Sequence, residues 1–125
     1  MRLLLDTHVF LWCIQNDRRL SKTARAKIRD ADEVYISSAS IWEMAIKIKL
    51  KKLTGKIDQI MNVIPESGFL DLPITARHAA AVMHLSDIHR DPFDRMLIAQ
   101  AITEPLTFLT ADINLKNYSD LVELI

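Results

Sequence analysis

The sequence predicts an α/β protein: a three-layer α/β/α sandwich on a short, mostly parallel central sheet of four to five strands. Short apolar runs of four to six residues alternate with longer segments of helical period along the whole chain. Strands separated by helices pair in parallel, because each parallel connection needs a crossover that a helix supplies. The first run, "RLLL", is continuously apolar, as in a strand buried on both faces.

The elements follow in order. Residues 2–5 are the first strand, and "THVFLWCIQN" (7–16) continues at helical period. "SKTARAKIRDA" (21–31) is a helix that opens on a serine and carries its charges on one face. "VYIS" (34–37) is the second strand, and "SASIWEMAIKIKLKKL" (38–53) one long helix. "IDQIMNVIPESG" (57–68) is a helix stopped by the segment from Pro65 to Gly68, and "FLDLPI" (69–74) the third strand. "TARHAAAVMHL" (75–85) and "PFDRMLIAQAIT" (92–103) are helical, the latter with Pro92 at the first helical position. "LTFLT" (106–110) is the fourth strand and "LVELI" (121–125) a fifth, at an edge.

A chain of 125 residues suits one domain spanning 1–125 and is long enough to bury a core. Half its residues are hydrophobic, which excludes a disordered chain. Sixteen basic and sixteen acidic residues cancel, so any nucleic-acid contact must come from a local patch. No apolar run approaches the ~20 residues that span a bilayer, and "MRLLLD" lacks a small-residue cleavage site, so a cytoplasmic protein with no membrane contact is expected. The single cysteine, Cys13, fits a reducing compartment and reads as a small buried hydrophobe. No histidine has a claim to be its base, and His8 is too close in sequence.

In open parallel sheets, sites lie beyond the carboxyl ends of strands, where strand order reverses. Acids stand at those places. Asp6 follows the first strand and Asp112 the fourth; Asp91 and Asp94 open the helix that feeds the fourth strand. Each also has a local reading. Asp6 and Asp91 suit helix N-caps, Asp91 the better for preceding Pro92. Asp94 is short for a capping-box partner, which is normally Glu or Gln. Asp112 could be a turn residue before Asn114. Glu43 is hardest to explain locally, because its helical neighbours Ala39, Ile46 and Leu50 are apolar. A carboxylate buried there needs a cation, a donor, a metal or a solvated cleft. Several carboxylates in one cleft repel one another, and a hard divalent ion resolves the repulsion. No Cys/His cluster points to zinc and no phosphate-binding glycine loop to a nucleotide.

In "LLLDTHVFLW", "SASIWEMAIKIKLKKL", "HRDPFDRMLIAQA" and "LTFLTAD", in this order and spacing, the chain resembles the PIN-domain nucleases, and most closely the VapC-type toxins of bacterial toxin–antitoxin pairs. The resemblance covers nearly the whole chain. It implies an acidic quartet, here Asp6, Glu43, Asp94 and Asp112, that binds Mg2+ or Mn2+ and cleaves RNA with an activated water. Asp91 is then an accessory acid. Thr110 resembles the hydroxyl that supports such a site, and Thr7 is a second candidate beside Asp6. The resemblance also implies a cognate antitoxin protein and a homodimer. Trp12 and Trp42 are candidate groove residues for that partner, with a core role as the alternative for both.

Candidate RNA contacts are Lys47, Lys49, Lys51 and Lys52, in a stretch with five lysines in ten residues, and Arg90 and Arg95 beside the acids. The lysines could equally complement a helix end, and the arginines could pair with Asp91 or Asp94. His78, His84 and His89 read as structural or surface residues. A phospho-receiver domain would also place aspartates at strand ends, but it needs paired acids after the first strand and a lysine after the fifth; here stand "DTH" and "VELI". A non-catalytic binding module with a degenerate site is the remaining alternative, opposed by the complete set of acids.

Overall fold

A computed structural model describes residues 1–125. Five strands, β1 (Arg2–Leu5), β2 (Glu33–Ser37), β3 (Leu70–Leu72), β4 (Thr107–Thr110) and β5 (Val122–Leu124), form one sheet in the order β3-β2-β1-β4-β5. Every pairing is parallel, so the sheet is wholly rather than mostly parallel, with β5 at an edge. The helices are α1 (Thr7–Gln15), α2 (Lys22–Asp30), α3 (Ser38–Lys49), α4 (Ile57–Glu66), α5 (Ala76–Ala81) and α6 (Pro92–Thr103). Two 3-10 segments, Val82–His84 and Ile113–Tyr118, complete the chain.

The continuous apolar run of β1 has a direct cause. Leu3 and Leu5 enter one cluster with Val9, Phe10, Ile28, Met44 and Ile64, from α1, α2, α3 and α4. Leu4 enters the opposite cluster with Leu97, Ile98, Phe108 and Leu115, from α6, β4 and the second 3-10 segment. All three leucines are fully buried, because β1 is the central strand and both faces are covered.

Helix ends explain most differences from the sequence-based boundaries. The helix predicted over 38–53 stops at Lys49. Lys51 turns left-handed at φ 60°, and the Lys52 N–H wraps back to the Lys47 carbonyl at 2.8 Å. This satisfies carbonyls of the last turn and lets Leu53 return to the core. Two of the predicted lysines, Lys51 and Lys52, therefore lie outside the helix. α4 runs through Pro65 to Glu66, because a proline in the last turn removes a single N–H. It ends where Gly68 takes φ 78°, with the Phe69 N–H bonded to the Ile64 carbonyl at 2.9 Å. The helix predicted over 75–85 is α5 followed by a 3-10 turn, and the strand predicted over 69–74 contracts to three residues. The 3-10 segment Ile113–Tyr118 was not legible as an element; it is a single buried leucine, Leu115, with polar flanks.

Strand order places the site. From β1 the chain builds outward through β2 to β3, then crosses to the other side of β1 for β4 and β5. Loops leaving β1 and β4 thus diverge, and a crevice opens beyond their carboxyl ends. No helix is long and apolar enough to cross a membrane.

The left-handed Lys51 carries a side chain where glycine would be unstrained. Lys51→Gly should raise stability by about 0.5–1 kcal/mol, read as a higher urea midpoint at unchanged slope. Lys51→Ala, which keeps the β-carbon, should give no such gain.

Candidate active site

Asp6 sits one residue past β1, with its N–H still paired to the Leu109 carbonyl at 3.0 Å. It occupies the N-cap position of α1, yet its carboxylate makes no capping bond. Instead the buried Thr110 hydroxyl donates to Asp6 Oδ2 at 2.5 Å, across the β1–β4 pair. Thr110 thus holds the Asp6 side chain from the end of β4. Thr7 does not: its hydroxyl donates to Ser40 Oγ at 2.8 Å and ties α1 to α3. Ser40, a buried polar residue in an apolar helix, was missed by sequence reading.

Glu43 is buried on α3 and meets a cation from its own helix. Lys47 Nζ lies 3.0 Å from Glu43 Oε2, one turn along. Glutamate four residues before lysine is a helical pairing that the sequence already contained. Lys47 is accordingly the half-buried counter-ion of Glu43, whereas Lys49, Lys51 and Lys52 are exposed.

The opening of α6 divides its labour between two aspartates. Asp91 Oδ1 accepts the N–H groups of Phe93 at 2.8 Å and Asp94 at 3.2 Å, a complete N-cap. Asp94, the third helical residue, is left free of capping and points Oδ2 at His89 Nε2, 3.0 Å away. Asp112 donates its N–H to the Thr110 hydroxyl at 3.1 Å and accepts the Asn114 N–H at 2.9 Å. Ligand-type atoms of His89, Asp94 and Asp112 all lie within 4.8 Å of one another. His89 is thus neither a structural nor a plain surface residue, because the 82–91 loop folds its ring onto the acids. The available signal was its place in "HRDPFD", five residues before Asp94.

The other candidates fall differently. Arg95 pairs with neither Asp91 nor Asp94. Its guanidinium donates to the carbonyls of Ser86 at 2.9 Å and His89 at 3.2 Å and to the Tyr118 hydroxyl at 3.2 Å. It is a clasp for the loop. Arg90 is exposed and lines a wholly polar hollow of about 450 Å³ with Asp87, His89 and Arg95. His78 is buried, caps α5 with Thr75 and bonds Glu104 at 2.6 Å, so it is structural as expected; His84 is exposed. Trp12 is half-buried beneath the Arg19 guanidinium, 5.1 Å from its ring. Trp42 is 59% exposed, edge-on to Phe93 at 4.9 Å. Cys13 is half-buried against the first core cluster, and burial pushes its thiol up. The largest hollow, about 630 Å³, lies among the starts of β2 and β3, away from the acids.

Electrostatics bind the acids into one unit. The Asp94 carboxyl is pushed up to about 7, first by burial, then by the charges of Asp6 and Asp91, with Glu43 adding and the His89 hydrogen bond opposing. Asp6 is also raised, by burial above all, against the pull of the Thr110 hydroxyl and of His8, with Glu43 again adding. These carboxylates repel one another in a partly dry crevice, and a set of carboxylate oxygens with one imidazole fits a divalent cation.

Because folding raises the Asp94 pKa, the native chain keeps a proton that the unfolded chain releases between about pH 4 and pH 7. Stability of the metal-free protein should therefore fall as pH rises through that window. Asp94→Asn should flatten the decline and leave the variant more stable at pH 7.5 by roughly 1–3 kcal/mol. Thermal melts in EDTA read both, and a variant no more stable than the parent at pH 7.5 rejects the repulsion.

A family model described as PIN domain matches residues 3–121. Ribonuclease VapC22 of Mycobacterium tuberculosis is 30% identical over 124 residues, covering 92% of this chain and 90% of the relative. Among solved structures, VapBC2 from Rickettsia felis, bound to a DNA fragment from its promoter, matches with a TM-score of 0.73 at 18% identity, over 98% of this chain and 96% of that one. FitAcB from Neisseria gonorrhoeae matches with a TM-score of 0.68 at 20% identity, over the same 98% and 96%. The structural matches share the fold, the family match spans nearly the whole sheet and the crevice at its carboxyl edge, and this chain belongs to the PIN domain family.

Proposed function

We propose that this protein is a metal-dependent endoribonuclease, the toxin of a toxin–antitoxin pair, that hydrolyses RNA phosphodiester bonds. The observation that carries the reading is the group of carboxylates at the β1–β4 crevice, where burial first and then the charges of Asp6 and Asp91 push Asp94 up to about 7. The names of the relatives support it: one is a ribonuclease, and the solved structures include VapBC and FitAB assemblies.

Asp6, Glu43, Asp94 and Asp112 would hold a Mg2+ or Mn2+ ion. When bound, the ion would neutralise the acids and supply an activated water and a clamp for the phosphodiester. The chain's own groups prepare for this. Thr110 holds one oxygen of Asp6, leaving the other free. Asp91 satisfies the first N–H groups of α6, so Asp94 need not. Lys47 gives the buried Glu43 a counter-ion from its own helix. Arg90, with the exposed Lys49, Lys51 and Lys52, is suited to hold RNA phosphates.

A protein antitoxin and a homodimer are part of the same reading. Trp42, Ile46 and Leu50 repeat every four residues along the open face of α3, and Met61 of α4 is exposed as well. Such a stripe fits the apolar side of a partner helix. Residues 1–125 are read as one domain, since both core clusters share one sheet, and the absence of a membrane-spanning helix is consistent with a cytoplasmic location.

Cleavage of cellular RNA by the purified protein tests the reading. Activity is expected with Mn2+ or Mg2+, lost in EDTA and reduced by at least about 100-fold in Asp94→Asn, a change that keeps shape but removes a charged donor. Activity that survives both EDTA and Asp94→Asn rejects the acidic centre. No Mn2+ binding by calorimetry would favour the non-catalytic binding module instead.

A further inference from the structure

The resemblance implies an acidic quartet, and the structure sets a donor of different chemistry, His89, against two of its members, Asp94 and Asp112. His89 Nε2 lies 3.0 Å from Asp94 Oδ2, and one ligand-type atom each of His89, Asp94 and Asp112 lie within 4.8 Å of one another. Two donors in adjacent positions on one six-coordinate ion, each at about 2.1 Å, are about 3 Å apart, and opposite donors are about 4.2 Å apart. The His89–Asp94 pair therefore stands at the spacing of adjacent donors, with Asp112 beside it.

The position of His89 is built rather than incidental. Its N–H donates to the Tyr118 hydroxyl at 2.7 Å. Its carbonyl accepts from Arg95 Nη1 at 3.2 Å and from the Tyr118 hydroxyl at 3.1 Å. Arg95 belongs to α6, the helix of Asp94; Tyr118 closes the 3-10 segment that Asp112 caps. The elements that carry the two acids thus also pin the backbone of the histidine. Nδ1 makes no hydrogen bond within the protein, so the ring proton can reside there and leave the Nε2 lone pair facing the acids.

We infer that His89 is a nitrogen ligand, through Nε2, to the divalent ion shared with Asp94 and Asp112, and that it biases the centre toward first-row transition ions over Mg2+. This rests on the metal-dependent reading above. Mg2+ prefers oxygen donors and keeps its waters, whereas an imidazole nitrogen strengthens binding of the transition series. The inference separates His89 from a group that only hydrogen-bonds Asp94, because only a ligand nitrogen touches the ion.

Mn2+ bound to the full chain, observed by pulsed electron paramagnetic resonance, provides the test. The parent protein should show nitrogen-14 coupling of a directly bound imidazole. His89→Ala should lose that coupling and bind Mn2+ at least about tenfold more weakly, with a smaller loss for Mg2+. His8→Ala, which removes the histidine two residues after Asp6, should keep the coupling. Mn2+ bound without nitrogen coupling in the parent overturns the inference while leaving the acidic metal centre standing, and needs no variant to be interpreted. Coupling that persists in His89→Ala overturns it too. A parent that binds no Mn2+ removes both the inference and the reading beneath it.

Discussion

Repulsion among carboxylates at the carboxyl ends of β1 and β4 is the constraint around which this molecule is arranged. Burial and neighbouring charge together raise Asp94 and Asp6. A fold that carries such a group must give each acid a partner that does not consume all its oxygens. Here the partners differ in kind. Asp6 has the Thr110 hydroxyl, Glu43 the Lys47 ammonium, Asp94 the His89 ring and Asp112 the Asn114 amide. Each carboxylate is steadied by one contact, and the residual charge remains available to a cation.

The supports come from the strands on either side of β1. Thr110 is the hub on one: its hydroxyl donates to Asp6 and accepts the Asp112 N–H, so one side chain links the ends of β1 and β4. A second polar network braces the other flank. Ser37, which caps α3, donates to Gln100 of α6 at 2.5 Å, and the Gln100 amide faces the carbonyls of Leu72 and Pro73 after β3. Both residues are fully buried. The helices that carry Glu43 and Asp94 are therefore joined through their interiors, and buried polar contacts of this kind fix one arrangement because an unmade partner is costly.

Much of this was legible one residue at a time. Burial of "LLL" follows from a strand with no polar face, and Pro92 at the start of α6 follows from its missing N–H and fixed φ. Glu43 stood out because an apolar helix face offers a carboxylate no water. What local reading could not settle was how each side chain spends its bonds. Asp6 and Asp91 look alike in sequence, each an aspartate before a helix. Asp91 caps and Asp6 does not, because only Asp6 has a buried threonine from a strand more than a hundred residues away. Arg95 looked like a partner for its neighbouring acids but reaches instead for carbonyls of the 82–91 loop.

Most element types, their alternation and the parallel pairing of the strands follow from the sequence alone. These depend on periodicity, branching and charge, which are local properties. Tertiary structure alone decided that the sheet reverses its order between β1 and β4, that Lys51 turns left-handed, and that His89 joins Asp94 and Asp112. Each of those outcomes balances contacts between segments distant in sequence, and the free energy of such contacts is settled only when the chain has packed.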